Sequence, residues 1–212
     1  MEGKVIAIVG APGSGKSYLA KKLAEAYHCA ALYEGESRDF PDRIKENFRT
    51  GRRLYENLIW FRNRQIEKYL EAMELKKSGN YVVLDTFWLT YLFHVPPYTR
   101  DNFERAMMLK VAELDRRMLP WPDVVIYLNS TEETMKRYME KRNKERYWEK
   151  NEDFLKRMYK VREEHEKFFK KNKQTKNLIV VDREKVDFDR AEDFNKLLKE
   201  IDALLIENTK YF

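Results

Sequence analysis

The stretch Gly10-Ala11-Pro12-Gly13-Ser14-Gly15-Lys16-Ser17 decides the fold. It fits G-x-x-x-x-G-K-[ST] and stands between the apolar run Val5-Ile6-Ala7-Ile8-Val9 and a helical pattern opening at Tyr18-Leu19-Ala20. That is the strand–loop–helix setting in which this spacing holds phosphate. Its glycines let successive backbone N–H groups turn inward, so the loop becomes a nest of donors at a helix N-terminus. There the amides, the helix dipole and the Lys16 ammonium hold a di- or triphosphate. Ser17 offers a hydroxyl to Mg²⁺, and Tyr18 completes the nucleotide-binding set on this side. A nucleoside triphosphate with Mg²⁺, ATP in the first instance, is the expected ligand, and what receives the phosphate is the open question.

The chain has 212 residues, enough for one well-cored α/β domain and short for two, and no Pro/Gly/Ser-rich linker divides it. Residues 1–212 are therefore read as a single domain. No apolar run approaches the roughly 20 residues of a membrane span, and no basic-then-apolar leader opens the chain, so a cytoplasmic protein without a membrane partner is expected. The single cysteine, Cys29, excludes an internal disulfide, and with three scattered histidines it gives no zinc pattern. Lys+Arg 42 against Asp+Glu 36 leaves +6, but acidic and basic residues are interleaved almost throughout. The charge balance is therefore only weak evidence for a nucleic-acid partner, which is not expected. A charged fraction of 37% with few glycines points to a thermophilic source.

Five short apolar segments read as buried parallel strands: Val5 to Val9, Ala30 to Tyr33, Tyr81 to Leu84, Val124 to Leu128 and Leu178 to Val181. Helical patterns separate them, which predicts an α/β fold with a doubly wound, five-stranded parallel sheet. In such sheets ligands collect beyond the carboxyl ends of the strands. That rule nominates Glu34 and Glu36, Asp85, Asn129 and Asp182 beside the phosphate loop. Glu34 on its own is equally a solvated turn residue. Asp85, an acid capping Tyr81-Val82-Val83-Leu84, has the form of a metal-steadying strand end, and Ser17 with Asp85 is the expected metal pair. On the helical pattern from Gly51 to Lys77, Asn57, Trp60, Phe61 and Arg64 share a face by spacing. That face can hold a base by stacking and hydrogen bonding, or form a core seam. Arg183, Lys185 and Val186, after the fifth strand, wall the adenine side. From Lys136 on, Arg137, Lys141, Arg142, Lys144 and Arg146 form a basic run. It is either a solvated face or a lid, at about 136–150, that brings cations to a transferring phosphoryl group. His165 reads as packed or at the surface rather than catalytic.

The order of these motifs resembles the deoxynucleoside kinase family, itself related to thymidylate kinases, over roughly residues 3 to 206. Four stretches carry the resemblance: Tyr33-Glu34-Gly35-Glu36, Asn57-Leu58-Ile59-Trp60-Phe61-Arg62-Asn63-Arg64, Pro120-Trp121-Pro122-Asp123-Val124-Val125-Ile126-Tyr127-Leu128, and the basic run Glu133 to Asn143. The resemblance implies that Glu34 is the general base on a sugar 5′-hydroxyl and that Asn57, in place of the family's glutamine, reads the base. It also implies that Arg137 and Arg142 steady the developing charge, and that the protein is a homodimer. One departure stands out. After the third strand the family has acid, arginine, serine; here the residues are Asp85-Thr86-Phe87, so the arginine that positions the acceptor is missing and Thr86 occupies its place on the substrate side.

The chemistry so implied is transfer of the γ-phosphoryl group of ATP to the 5′-hydroxyl of a nucleoside. Lys16, Glu34, Arg137 and Arg142 are the catalytic candidates. Three alternatives stay open. A nucleoside monophosphate acceptor could be clamped by Arg38, Arg43, Arg49, Arg52 and Arg53. A nucleotide-binding subunit without transfer would explain Thr86, and a kinase of 5′-hydroxyl RNA would use the basic run.

Overall fold

A computed structural model describes residues 3–35, 39–141, 151–172 and 177–207. The elements run β1 (Lys4–Gly10), α1 (Lys16–Ala26), β2 (Ala30–Leu32), α2 (Asp42–Thr50), α3 (Leu54–Lys77), β3 (Tyr81–Leu84), α4 (Thr90–Tyr98), α5 (Asn102–Met118), β4 (Val124–Asn129), α6 (Glu132–Lys141), α7 (Glu152–Lys171), β5 (Leu178–Asp182) and α8 (Ala191–Glu207). The five strands form one sheet in the order β2-β3-β1-β4-β5, and every pairing is parallel. β1 therefore lies at the centre, with β3 on one side and β4 on the other. The strand order switches there, and the crevice it opens falls at the carboxyl end of β1, where the Gly10–Ser17 loop begins.

Because β1 is covered on both faces, its side chains alternate between two apolar layers. Val5, Ala7 and Val9 face one layer with Val82, Leu84, Val125 and Tyr127, beneath α2, α3, α4 and α7. Ile6 and Ile8 face the other with Val83, Ile126 and Leu128, beneath Leu19 and Leu23 of α1 and Leu197, Ile201 and Leu205 of α8. All seven residues of β1 are buried. Parallel pairing with helices on both faces is thus the arrangement that the unbroken apolar strands require.

Apart from shifts of a residue or so at strand ends, one helix start and one helix differ from the sequence expectation. The helix expected from Gly51 begins at Leu54, because Gly51 and Arg53 both take left-handed backbone angles, with φ +66 and +50. Gly51 ends α2 by donating its N–H to Asn47 O at 2.9 Å, so the chain turns between two separate helices before α3 begins. The second difference is α4, which the apolar periodicity did not announce. Its sequence Thr90-Tyr91-Leu92-Phe93-His94-Val95-Pro96-Pro97-Tyr98 contains two prolines and is buried on most sides, with Thr90, Tyr91, Phe93, Val95 and Tyr98 all inside. A helix enclosed by neighbours has no polar face from which a period could be read.

Candidate active site

The phosphate loop is held from behind and left open in front. Gly13 has φ +84, and a Cβ there would stand 2.7 Å from the Met135 carbonyl oxygen and 3.1 Å from its Cα. Only glycine allows the loop to lie against α6 at this point. Arg183, buried at the end of β5, reaches under the loop: its Nε donates to Ser14 O at 3.2 Å. Its guanidinium lies 4.1 Å from the centre of the Phe188 ring. Lys16 Nζ donates to Gly10 O at 2.9 Å and Ala11 O at 3.2 Å, folding the side chain back over the loop it is placed to serve. Lys16 is half-buried and Ser17 exposed, so both face the crevice.

Three strand ends meet in front of this loop. Ser17 Oγ donates to Asp85 Oδ2 at 2.9 Å, while Asp85 Oδ1 accepts the Glu34 N–H at 3.0 Å. Asp85 is 6% exposed and so holds β2 and α1 to the end of β3. The Glu34 side chain turns toward α3, where its Oε1 accepts from Gln65 Nε2 at 2.6 Å. The Glu34 carbonyl accepts from Arg64 Nε at 2.9 Å. The donor set Ser17–Asp85 consists of hard oxygens at one edge of the phosphate cradle. It fits Mg²⁺, a cation normally bound by one or two protein oxygens plus phosphate and water. Among the described residues no group of three or more His, Cys, Asp or Glu side chains forms a metal cage.

Beside Lys16 and Glu34 a cavity runs under α3, α4 and α7. Its wall includes Phe40, Phe48, Phe61, Tyr91, Tyr98 and Phe154, with Asn57, Thr86, Thr90 and His94 among its polar members. Of the expected substrate-side residues, Glu34, Asn57, Phe61 and Thr86 are on this wall. Asn57 is 0% exposed, and its amide is engaged within the protein: Nδ2 donates to Ile44 O at 3.1 Å, and Oδ1 accepts from Asn47 Nδ2 at 2.9 Å. Trp60 and Arg64 do not line the cavity. Trp60 faces an outer cleft with Arg43, Arg53 and Asn63, and Arg64 lies 5.2 Å over its ring while bonding the Glu34 carbonyl. The cavity face of α3 is Asn57, Leu58, Phe61, Arg62 and Gln65, rotated from the 57, 60, 61, 64 face expected from spacing. That rotation brings in Gln65, which the expected face leaves out, and Arg62, a candidate to stand in for the arginine missing after Asp85.

Arg62 is the one arginine on this wall among the described residues, and it is already paired. Its Nε and Nη2 bind Asp115 Oδ2 and Oδ1 at 2.6 and 2.5 Å, and Asp115 is 4% exposed. The hydrogen bond to Asp115 raises the Arg62 pKa further above its ordinary value. Thr86, where the family's arginine would stand, instead shares a hydrogen bond with Thr90, Oγ1 to Oγ1, at 2.8 Å.

On the nucleotide side, Tyr18 Oη donates to Asp189, and the Lys185 ammonium is 3.2 Å from Asp182. Val186 is half-buried in the same loop. Arg137 is exposed on α6, with its guanidinium 5.3 Å from the centre of the Tyr138 ring. Arg142, Lys144 and Arg146, and with them most of the expected lid at about 136–150, lie outside the described residues, as do Glu36 and Arg38. His165 is 0% exposed, 4.0 Å from Phe93 between ring centres, which places it in the core rather than at the surface.

The parallel sheet, the Gly10–Ser17 cradle at its switch point and the oxygen pair beyond it define a P-loop protein with a P-loop kinase fold. The chain matches the family model described as AAA domain over residues 5–167, and it belongs to that family. Among solved structures it is similar to deoxyadenosine kinase from M. mycoides with bound dATP. The TM-score is 0.75 at 16% identity, covering 93% of this chain and 99% of the other. The same enzyme with products dCMP and a flexible dCDP gives a TM-score of 0.74 at 16% identity, over 94% and 99% of the two chains. Thymidylate kinase from Candida albicans gives 0.66 at 20% identity, over 99% and 93%. Among curated proteins none matches the chain. No described helix is long and apolar enough to cross a membrane.

Proposed function

We propose that the protein transfers the γ-phosphoryl group of ATP to the 5′-hydroxyl of a nucleoside. The observation that carries this is the convergence of Lys16, Ser17, Asp85 and Glu34 at one mouth of an aromatic cavity. Such an arrangement has a phosphate cradle, a metal edge, a carboxylate base and a place for a flat heterocycle. The structural neighbours support phosphoryl transfer to a nucleoside or nucleotide, and of the two kinds the deoxyadenosine kinase favours the nucleoside acceptor proposed here.

In this mechanism the loop amides and Lys16 hold the β- and γ-phosphates of ATP. When bound, Mg²⁺ neutralises charge on those phosphates. Glu34 takes the proton of the acceptor hydroxyl as its oxygen attacks the γ-phosphorus, and the bond to the β,γ-bridging oxygen breaks to release ADP. Gln65 and Arg64 fix the Glu34 side chain and main chain so that the base faces the cavity. Arg137, and Arg142 after it, supply cations for the transition state, arginine being suited by its planar fork. Arg183, Lys185 and Val186 wall the adenine.

An uncharged acceptor suits this cavity better than a monophosphate, because the Arg62 guanidinium on its wall is already taken by Asp115 in a bidentate pair. The same proposal puts the protein in the cytoplasm, where ATP and Mg²⁺ are supplied. It also makes the protein a homodimer, for which the exposed apolar row Phe103, Met107, Leu114 and Met118 on α5 offers a surface. The deciding experiment incubates the protein with ATP, Mg²⁺ and separate pools of nucleosides, nucleoside monophosphates and 5′-hydroxyl RNA, and measures ADP release. Release with nucleosides is expected. Release with monophosphates or RNA alone, or with no pool, would overturn the proposal in favour of the corresponding alternative.

A further inference from the structure

The polar residues of the cavity wall are nearly all engaged. Thr86 and Thr90 bond each other, Asn57 bonds Asn47 and Ile44, and Arg62 binds Asp115. Gln65 bonds Glu34, and the Tyr91 hydroxyl donates to Met108 Sδ at 3.0 Å. Three groups differ. Among the described residues Gln65 Oε1, beside the amide nitrogen that bonds Glu34, has no hydrogen-bond partner, and neither the second nitrogen of His94 nor the hydroxyl of Tyr98 is bonded; all three residues line the cavity, and His94 and Tyr98 lie together on α4. They continue a seam, Thr86, Thr90, His94, Tyr98, that returns to the cavity every fourth residue along the chain entering and forming α4. Their rings meet edge to face with centres 5.6 Å apart, so each limits the rotation of the other.

The protonation of His94 follows from its neighbour. His94 Nδ1 lies 2.9 Å from the Thr90 carbonyl oxygen, and a carbonyl can only accept, so Nδ1 carries the hydrogen. Burial pushes the His94 pKa down to about 4, which leaves the ring neutral at ordinary pH and makes Nε2 a bare acceptor. Burial raises the Tyr98 pKa well above its ordinary value, so its hydroxyl keeps its proton and can donate. The wall therefore carries an acceptor and a donor, four residues apart on one helix, on rings whose centres are 5.6 Å apart.

We propose that His94 and Tyr98 select the acceptor. His94 Nε2 takes an N–H from the edge of a heterocyclic base, and Tyr98 Oη donates to the ring nitrogen beside it. This rests on the nucleoside acceptor proposed above, and it gives these two residues the base-reading role that Asn57, enclosed and hydrogen-bonded on both sides of its amide, does not fill. The group recognised is the amino–imino edge carried by cytosine and adenine. A base lacking the amino group leaves His94 Nε2 unsatisfied inside the cavity, and that asymmetry makes hydrogen-bonding sites selective.

The test compares kcat/KM for cytidine against its 4-deamino analogue and for adenosine against purine riboside, pairs that differ only by the amino group. With the native protein the amino compound is expected to win by about tenfold or more. In His94→Phe, which keeps a ring and loses the acceptor, that ratio falls to about threefold or less. In Tyr98→Phe it persists, while discrimination between cytidine and 3-deazacytidine is lost. The native protein's own ratio requires no variant to fold. Equal use of amino and deamino compounds by the native protein, or an unchanged ratio in His94→Phe, overturns the assignment and leaves nucleoside phosphorylation standing. Absence of ADP release with every nucleoside overturns the nucleoside reading itself.

Discussion

Ser17 Oγ and Asp85 Oδ2 lie 2.9 Å apart in a hydrogen bond that joins the first turn of α1 to the end of β3. Each belongs to a different phosphate-site element, and the bond sets the two oxygens at the edge of the Lys16 cradle. Asp85 also accepts the Glu34 N–H, so one carboxylate aligns the metal edge and the proposed base together. Replacing it by Asn keeps the shape and removes the charge. Asp85→Asn is expected to lower turnover by roughly 10² or more, with part of the loss recovered by raising Mg²⁺. Turnover measured across a Mg²⁺ titration checks this.

Glu34 and Gln65 make a second test. Removing the carboxylate with Glu34→Gln should lower turnover by roughly 10² or more while ATP binding persists, because a positioned general base contributes on that scale. Gln65→Leu leaves the carboxylate and removes the donor that fixes it at 2.6 Å. A loss of about tenfold in kcat, with KM for ATP held, is the expected signature of a base that is present and misaimed. Steady-state kinetics on both variants separates these outcomes. Equal losses in the two would make Gln65 part of the chemistry rather than its support.

Gly13 tests how the loop is supported. A methyl group there would press on the Met135 backbone at 2.7 Å and would also strain a residue with φ +84. Neither can relax cheaply, since the obstacle is main chain. Gly13→Ala is expected to destabilise the fold by about 2–3 kcal/mol and to weaken binding of an ATP analogue. Thermal unfolding with and without the analogue measures both. Normal binding with a lowered melting temperature would show that the loop shifts α6 rather than its own amides.

Much of this site is legible in the chain alone. The five strands and the Gly10–Ser17 loop are legible because strands buried on both faces are unbroken apolar runs and because phosphate binding fixes the glycine spacing. Asp85 was legible as the acid that stops such a run. The acceptor side was harder. Residues 57, 60, 61 and 64 and residues 57, 58, 61, 62 and 65 are both plausible faces of one helix, and a partial turn separates them. Only the packing of Trp60 against Phe40, ring centres 5.3 Å apart, and of Arg62 against Asp115 selects the second. α4 left no periodic signal because Phe93 and Val95 are as buried as Thr90 and Tyr91. The residues it brings to the cavity, His94 and Tyr98, therefore had no pattern to announce them.

His165 gives the pH dependence of stability. It is 0% exposed, its Nδ1 donates to Val161 O at 2.7 Å, and Nε2 is buried without a hydrogen-bond partner among the described residues. Burial holds its pKa well below the ordinary 6.5, and the His94 pKa falls to about 4 for the same reason. Between pH 6.5 and 4 the unfolded chain therefore binds protons at these positions that the folded chain does not. Stability rises with pH wherever the unfolded state holds more protons. The contribution of the two neutral imidazoles is thus fully present above about pH 6.5 and is lost as pH falls toward and through the folded values. For His94, half-buried in the cavity wall, the loss is on the order of 2 kcal/mol. Urea unfolding from pH 7 to pH 4 should show a steady decline, and His165→Phe, which has no proton to gain, should decline less steeply. A native protein equally stable at pH 7 and pH 4.5 would mean that the imidazoles reach solvent and titrate as they do in the unfolded chain.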